Sequence, residues 1–226
     1  MVDPRNACRA LCAALLLGIG TAASGDDIVA PPWLRFDPFS TVQEWEFVAP
    51  GDTSADGGLL FNPNGPPFAT IFPGVVFVPE GTGPSGLGGY TGTGDLEFSY
   101  LLFEIPNIPD NRPVKHIQIQ INGVWTPGLE PVLTSVTGFF GPTFPPGVFA
   151  GSEETFPGFH RVEWWDIFPN PDFETLLLFL PNTTFVNQVV IDTISTIPLP
   201  AAWALLLAGL GGIGLAPRRT AARGRP

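Results

Sequence analysis

The chain offers few groups that could do acid–base or nucleophilic work. His116 and His160 are its only histidines, 44 residues apart in a chain of 226. A Ser-His-Asp relay needs an imidazole held between a carboxylate and a hydroxyl. Neither a Gly-x-Ser-x-Gly elbow nor an HExxH run is present to announce one. Carboxylates are plentiful, and two pairs lie close in sequence: Glu153-Glu154, and Glu163 with Asp166. Glycosidases need two carboxyls flanking one sugar bond. Residues three apart on a strand face opposite ways, so Glu163 and Asp166 do not suit that role. Calcium takes six to eight oxygens, for which Asp172, Glu174, Asp110 and Asn111 are candidate donors. No EF-hand or repeat spacing groups them. Trp164, Trp165 and Trp125, with Trp45, are candidate platforms for stacking a sugar ring, or else core aromatics. On a strand, the adjacent Trp164 and Trp165 send one ring to each face.

The elements that hold these groups must come from an unusual composition. Gly and Pro number 27 each, charged residues make up 14%, and 27 residues are aromatic. So many rings supply enough apolar area to offset chain entropy, which argues against disorder and for a turn-rich β protein. Residues 26–197 carry 20 of the 21 acids and four cations, Arg35, Arg112, Lys115 and Arg161, for a net charge of −16. Such a surface repels phosphate backbones, which excludes nucleic acid as a partner. The two cysteines, Cys8 and Cys12, both lie in the first apolar segment, so residues 26–196 contain no thiol.

Residues 1–25 read as a signal peptide. Arg5 and Arg9 precede a nine-residue apolar run, residues 11–19, too short to span a bilayer, and small residues follow. The expected partner is signal peptidase, with cleavage after Ser24 or Gly25. At the other end, residues 197–216 are 20 positions without a charge, closed by Arg218 and Arg219. A helix of that length spans roughly 30 Å, the thickness of a bilayer core. Pro198 and Pro200 mark its outer edge, and the arginines act as a cytoplasmic stop.

Pro198-Leu199-Pro200, a Leu/Gly-rich segment and a terminal arginine cluster, in that order, resemble the PEP-CTERM sorting signal of exopolysaccharide-producing bacteria with an outer membrane. Leu199 stands where the motif that names the family has Glu, and Pro-Leu-Pro-Ala-Ala looks like a variant of it. The resemblance covers the tail, residues 197–226, with the transmembrane part at about 201–216. It implies processing by an exosortase-like enzyme, a membrane-bound intermediate, and delivery to the envelope or beyond. Proteins with this tail often end their body on a strand like Val189-Val190-Ile191-Asp192-Thr193-Ile194-Ser195, as here.

Between these ends, residues 26–196 suit one domain. In residues 115–121, KHIQIQI, Ile117, Ile119 and Ile121 point one way and His116, Gln118 and Gln120 the other, which predicts a half-buried strand turning at Asn122-Gly123. Nine more strands are expected at residues 41–48, 59–61, 68–72, 75–78, 96–105, 132–140, 159–168, 175–180 and 184–195. The Gly-rich residues 81–95 lack a Gly-Lys-Ser/Thr ending and read as a long flexible loop. The expected fold is all-β, a two-sheet antiparallel sandwich of jelly-roll type. The expected role is structural, in an exopolysaccharide or biofilm layer. A carbohydrate-binding module is the alternative and a polysaccharide-degrading enzyme the lesser one. No cofactor beyond calcium is implied.

Overall fold

Alternation of apolar and polar residues builds most of this molecule. The computed structural model describes residues 29–55, 59–82, 86–95, 97–107, 112–139, 145–156 and 158–197. The signal peptide, the sorting motif Pro198-Leu199-Pro200, Arg218, Arg219, Asp110 and Asn111 lie outside the described residues. Within them the chain is all-β, with twelve strands in two antiparallel sheets and no helix. The strands are β1 (Ser40–Glu46), β2 (Leu60–Phe61), β3 (Phe68–Ile71), β4 (Val75–Val78), β5 (Gly89–Gly92), β6 (Tyr100–Pro106), β7 (Val114–Val124), β8 (Val132–Phe139), β9 (Gly147–Phe156), β10 (His160–Ile167), β11 (Phe173–Phe179) and β12 (Phe185–Thr196). The larger sheet runs β2-β1-β12-β7-β10-β9, with the β4–β5 hairpin joined to β12 through β5. The smaller runs β3-β6-β11-β8.

The period-2 pattern decides what each sheet contributes to the core. Leu101, Phe103 and Ile105 of β6 and Leu176 and Leu178 of β11 come from the smaller sheet. They share one buried cluster with Trp45 of β1, Ile117, Ile119 and Ile121 of β7, and Val189 and Ile191 of β12. Each such side chain contributes about 1.5–3 kcal/mol on burial. Trp45, one of the candidate sugar platforms, is therefore a core residue, its ring edge-on to Phe103 at 4.9 Å.

Three local expectations are corrected. Asn122-Gly123 is not a turn, because β7 continues to Val124. Gly123 is glycine for another reason: a Cβ there would stand 1.9 Å from the Phe185 carbonyl oxygen of β12. The Gly-rich residues 81–95 contain a strand, β5, whose Gly89 and Gly92 let the hairpin approach β12 and Leu180 closely. Finally, β7 is buried on both faces rather than one, with Gln118 and Gln120 fully covered. The chain before β1 crosses this outer face. Val29 N–H donates to Gln120 Oε1 at 3.0 Å and Gln118 Nε2 donates to the Val29 carbonyl at 2.8 Å. Further along, Arg35 grips Asp192 of β12 through Nε and Nη2, both at 2.6 Å.

Candidate functional site

The strand pair β9–β10 carries the densest set of aromatic and charged side chains that had been candidates. Cross-strand register sorts them. Arg161, Glu163 and Trp165 lie opposite Ile121, Ile119 and Ile117 of β7, so they share the inner face. Glu154, Ser152 and Phe149 of β9 lie opposite the same three residues on the other side. Trp165 rests half-buried against the core, and Phe149, 50% exposed, meets it edge-on with ring centroids 5.2 Å apart. The Glu163 carboxylate, 3% exposed, is held from two sides: Arg161 Nε donates to one oxygen at 2.7 Å and Trp165 Nε1 to the other at 3.0 Å. The Arg161 bond fixes the carboxylate, and the carboxylate in turn holds the indole through its Nε1. The result is a ledge: two rings at one end, then a charge-paired Arg–Glu at the edge of the larger sheet.

The other sequence candidates fall elsewhere. Trp164 faces outward, half-buried, with its Nε1 donating to Gln118 Oε1 at 3.0 Å. Trp125 is 4% exposed in the core cluster and donates to Glu154 Oε1 at 3.1 Å, so its ring has no free face for a sugar. Asp172 is exposed just before β11, whereas Glu174 is wholly buried and sits 3.4 Å from Lys115 Nζ. Glu174 is thereby withdrawn from the solvent-facing calcium set, because its parity on β11 matches Leu176 and Leu178. Among the described residues, no three His, Cys, Asp or Glu side chains gather as a metal site. A small cleft of about 190 Å³ between Glu46, Glu80, Leu87 and Gln188 lies at the β4–β5 side.

One arrangement escaped the sequence reading. His116 and Asp166 are directly opposed on β7 and β10, and Asp166 Oδ1 lies 2.6 Å from His116 Nδ1. His116 Nε2 lies 2.8 Å from Thr196 Oγ1 at the end of β12. Carboxylate, imidazole and hydroxyl thus stand in series on the outer face, each on a different strand. The pairing ties down the last strand residues before Pro198. Asp166 shows the parity that separates it from Glu163: it serves His116 outside while Glu163 serves Arg161 inside. Phe149 and Arg161 were also missed as ledge residues, while Glu154, a candidate carboxylate, accepts from Trp125 instead. The signal for Arg161 was available, because it is one of four cations in the body and shares parity with Glu163 and Trp165. No family model, curated protein or solved structure matches the chain.

Proposed function

We propose that this protein is an exported β-sandwich of jelly-roll type that serves as a structural component of an exopolysaccharide layer. In this reading the tail delivers it and the β9–β10 ledge holds neutral polysaccharide. The observation that carries the reading is the ledge itself. Sugar rings present apolar C–H faces rimmed by hydroxyls, and Trp165 and Phe149 offer apolar surface beside the Arg161–Glu163 pair. A body at −16 repels acidic glycans, which narrows the ligand to neutral chains. Two sheets sharing a single core support the sandwich. The sorting tail and the signal peptide rest on the sequence and its resemblance to PEP-CTERM proteins.

Affinity electrophoresis of the full chain through gels containing neutral β-glucan, xylan or acidic alginate tests the ligand. Retardation by a neutral polysaccharide, lost in Trp165→Ala and Phe149→Ala and kept in Trp164→Phe, is the expected result. Unchanged mobility in all three gels, or retardation indifferent to Trp165 and Phe149, would leave a purely architectural role. Mass spectrometry of the mature surface protein tests the tail. Removal of Arg218 and Arg219 is expected, and their retention would rule out exosortase-type processing.

A further inference from the structure

Behind the ledge, at one end of the core, polar groups collect where apolar ones are the rule. Lys115, the only lysine of the chain, is wholly buried. Its Nζ donates to Asn107 Oδ1 at 2.6 Å and to Ser195 Oγ at 3.4 Å, and stands 3.4 Å from Glu174 Oε1. Neither Glu174 oxygen takes a well-formed hydrogen bond. Asn107 is held by its other end: Nδ2 donates to Asn170 Oδ1 at 3.0 Å and to the Pro171 carbonyl at 2.6 Å. The carboxamide therefore has a fixed orientation, with its carbonyl turned to the lysine. Because a C=O bond is about 1.2 Å long, Asn107 Cγ lies within about 3.8 Å of Nζ. That is close to the roughly 3–3.5 Å from which bond formation proceeds.

From this geometry we infer that Lys115 and Asn107 join covalently, through an intramolecular isopeptide bond formed with Glu174 as the proton carrier. A proton first passes from Nζ to Glu174, leaving a neutral amine and a carboxylic acid. A dry site favours both neutral forms over the ion pair. Burial raises the Glu174 pKa above its ordinary value, against the opposing pull of Lys115. The Nζ lone pair then bonds to Cγ, and the carbonyl π pair moves onto Oδ1. When that pair returns, the Cγ–Nδ2 bond breaks and its electrons leave with nitrogen. The departing nitrogen takes one proton from the attacking Nζ, with Glu174 as relay, and leaves as ammonia. One C–N bond forms and one breaks, so no oxidant or cofactor enters.

The placement gives the bond a purpose. Asn107 follows β6 of the smaller sheet and Lys115 lies on β7 of the larger, so the link staples the two sheets. Residues 26–196 hold no cysteine and cannot use a disulfide for this. The link also removes a buried ammonium, replacing a costly charge with a neutral amide.

The test is peptide mass spectrometry on the full-length protein, unfolded and digested after glutamate. Residues 105–130 then form one peptide containing both partners. The expected peptide is lighter by one ammonia, about 17 Da, and shows no backbone fragments between Asn107 and Lys115. In Glu174→Gln the unmodified mass should return, with a native circular dichroism spectrum. An unmodified wild-type peptide would overturn the proposal even if every variant failed to fold. So would the same mass loss mapped to Asn122-Gly123, where a succinimide would form, or its persistence in Lys115→Met.

Discussion

Replacing Arg35 with methionine should loosen the segment that covers the outer face of the larger sheet. Asp192 is fully buried, while the Arg35 side chain keeps 14% of its surface exposed. The guanidinium fork gives two charge-assisted bonds of 2.6 Å, one to each Asp192 oxygen. Removing one partner of a buried pair typically costs about 3–5 kcal/mol, because the other charge stays behind in a dry site. Water reaches the arginine side, so the lower end, about 3 kcal/mol, is the appropriate figure. For a domain of this size that lowers Tm by about 6–12 °C. Methionine retains much of the apolar stem, which separates the charge effect from lost packing. The combined variant Arg35→Met with Asp192→Leu should recover a large part of the loss, because no carboxylate is then stranded. Denaturant titration of the two single variants and the double gives the coupling energy. Amide exchange at Val29, whose N–H is held by Gln120, should quicken in Arg35→Met. A single-variant loss below about 1 kcal/mol would refute the reasoning, since exposed pairs are worth that little. A double variant costing the sum of its parts would refute it equally.

Two further outcomes follow from close approach and from burial. Gly92→Ala and Gly123→Ala should each destabilise by more than about 3 kcal/mol or prevent folding, since their Cβ would meet a backbone oxygen at 1.9 Å. Gly151→Ala should stay within about 0.5 kcal/mol of the parent, its nearest neighbour being Trp164 Cε3 at 3.8 Å. Thermal melts of the three variants check this, and equal behaviour would contradict the packing argument. The Tyr90 hydroxyl, which accepts from Gly51 N–H at 2.8 Å, has its pKa raised above 10.0 by burial. The folded protein holds that proton more tightly than the unfolded chain, so its contribution is intact below pH 10.0 and is lost as pH climbs through the folded value. Denaturation of the parent and Tyr90→Phe at pH 8 and above 10.0 should show the parent losing ground only in alkali.

Much of the strand framework was legible because burial imposes parity. Residues 75–78 were placed without error, and β8, β10 and β12 to within a residue at each end. What escaped was governed by glycine and by edge position. β5 is Gly-Tyr-Thr-Gly, a turn-like string whose glycines serve close approach to β12 and Leu180. β9 is an edge strand that follows prolines and carries Glu153-Glu154 in its second half, so its run lacks a clean apolar face. The same limit applied to Asn122-Gly123. A dipeptide that favours a hairpin was overridden by β12, which packs its Phe185 carbonyl against Gly123.

The polar end of the core obeys the same rule applied one residue further, although Glu174 had been expected among calcium donors and not in the core. Lys115 shares parity with Ile117, Ile119 and Ile121, Glu174 with Leu176 and Leu178, and Asn107 with Phe103 and Ile105. Each polar residue therefore had to point inward unless its strand ended first. Antiparallel register of β6 and β11 pairs Glu174 with Ile105, the inward residue just before Asn107. Parity turns the lysine and the carboxylic acid inward, and the fold brings Asn107, just past the end of β6, onto Lys115. Their burial is costly unless something offsets it, and hydrogen bonding meets only part of the need, since neither Glu174 oxygen takes a well-formed hydrogen bond. The ledge residues had no such signature. Trp165 and Phe149 come together only because β10 and β9 pair across a register shift between Trp164 and Trp165. A bulge in an edge pairing leaves no periodic trace in sequence, and side chains re-aimed by it are visible only in the folded chain.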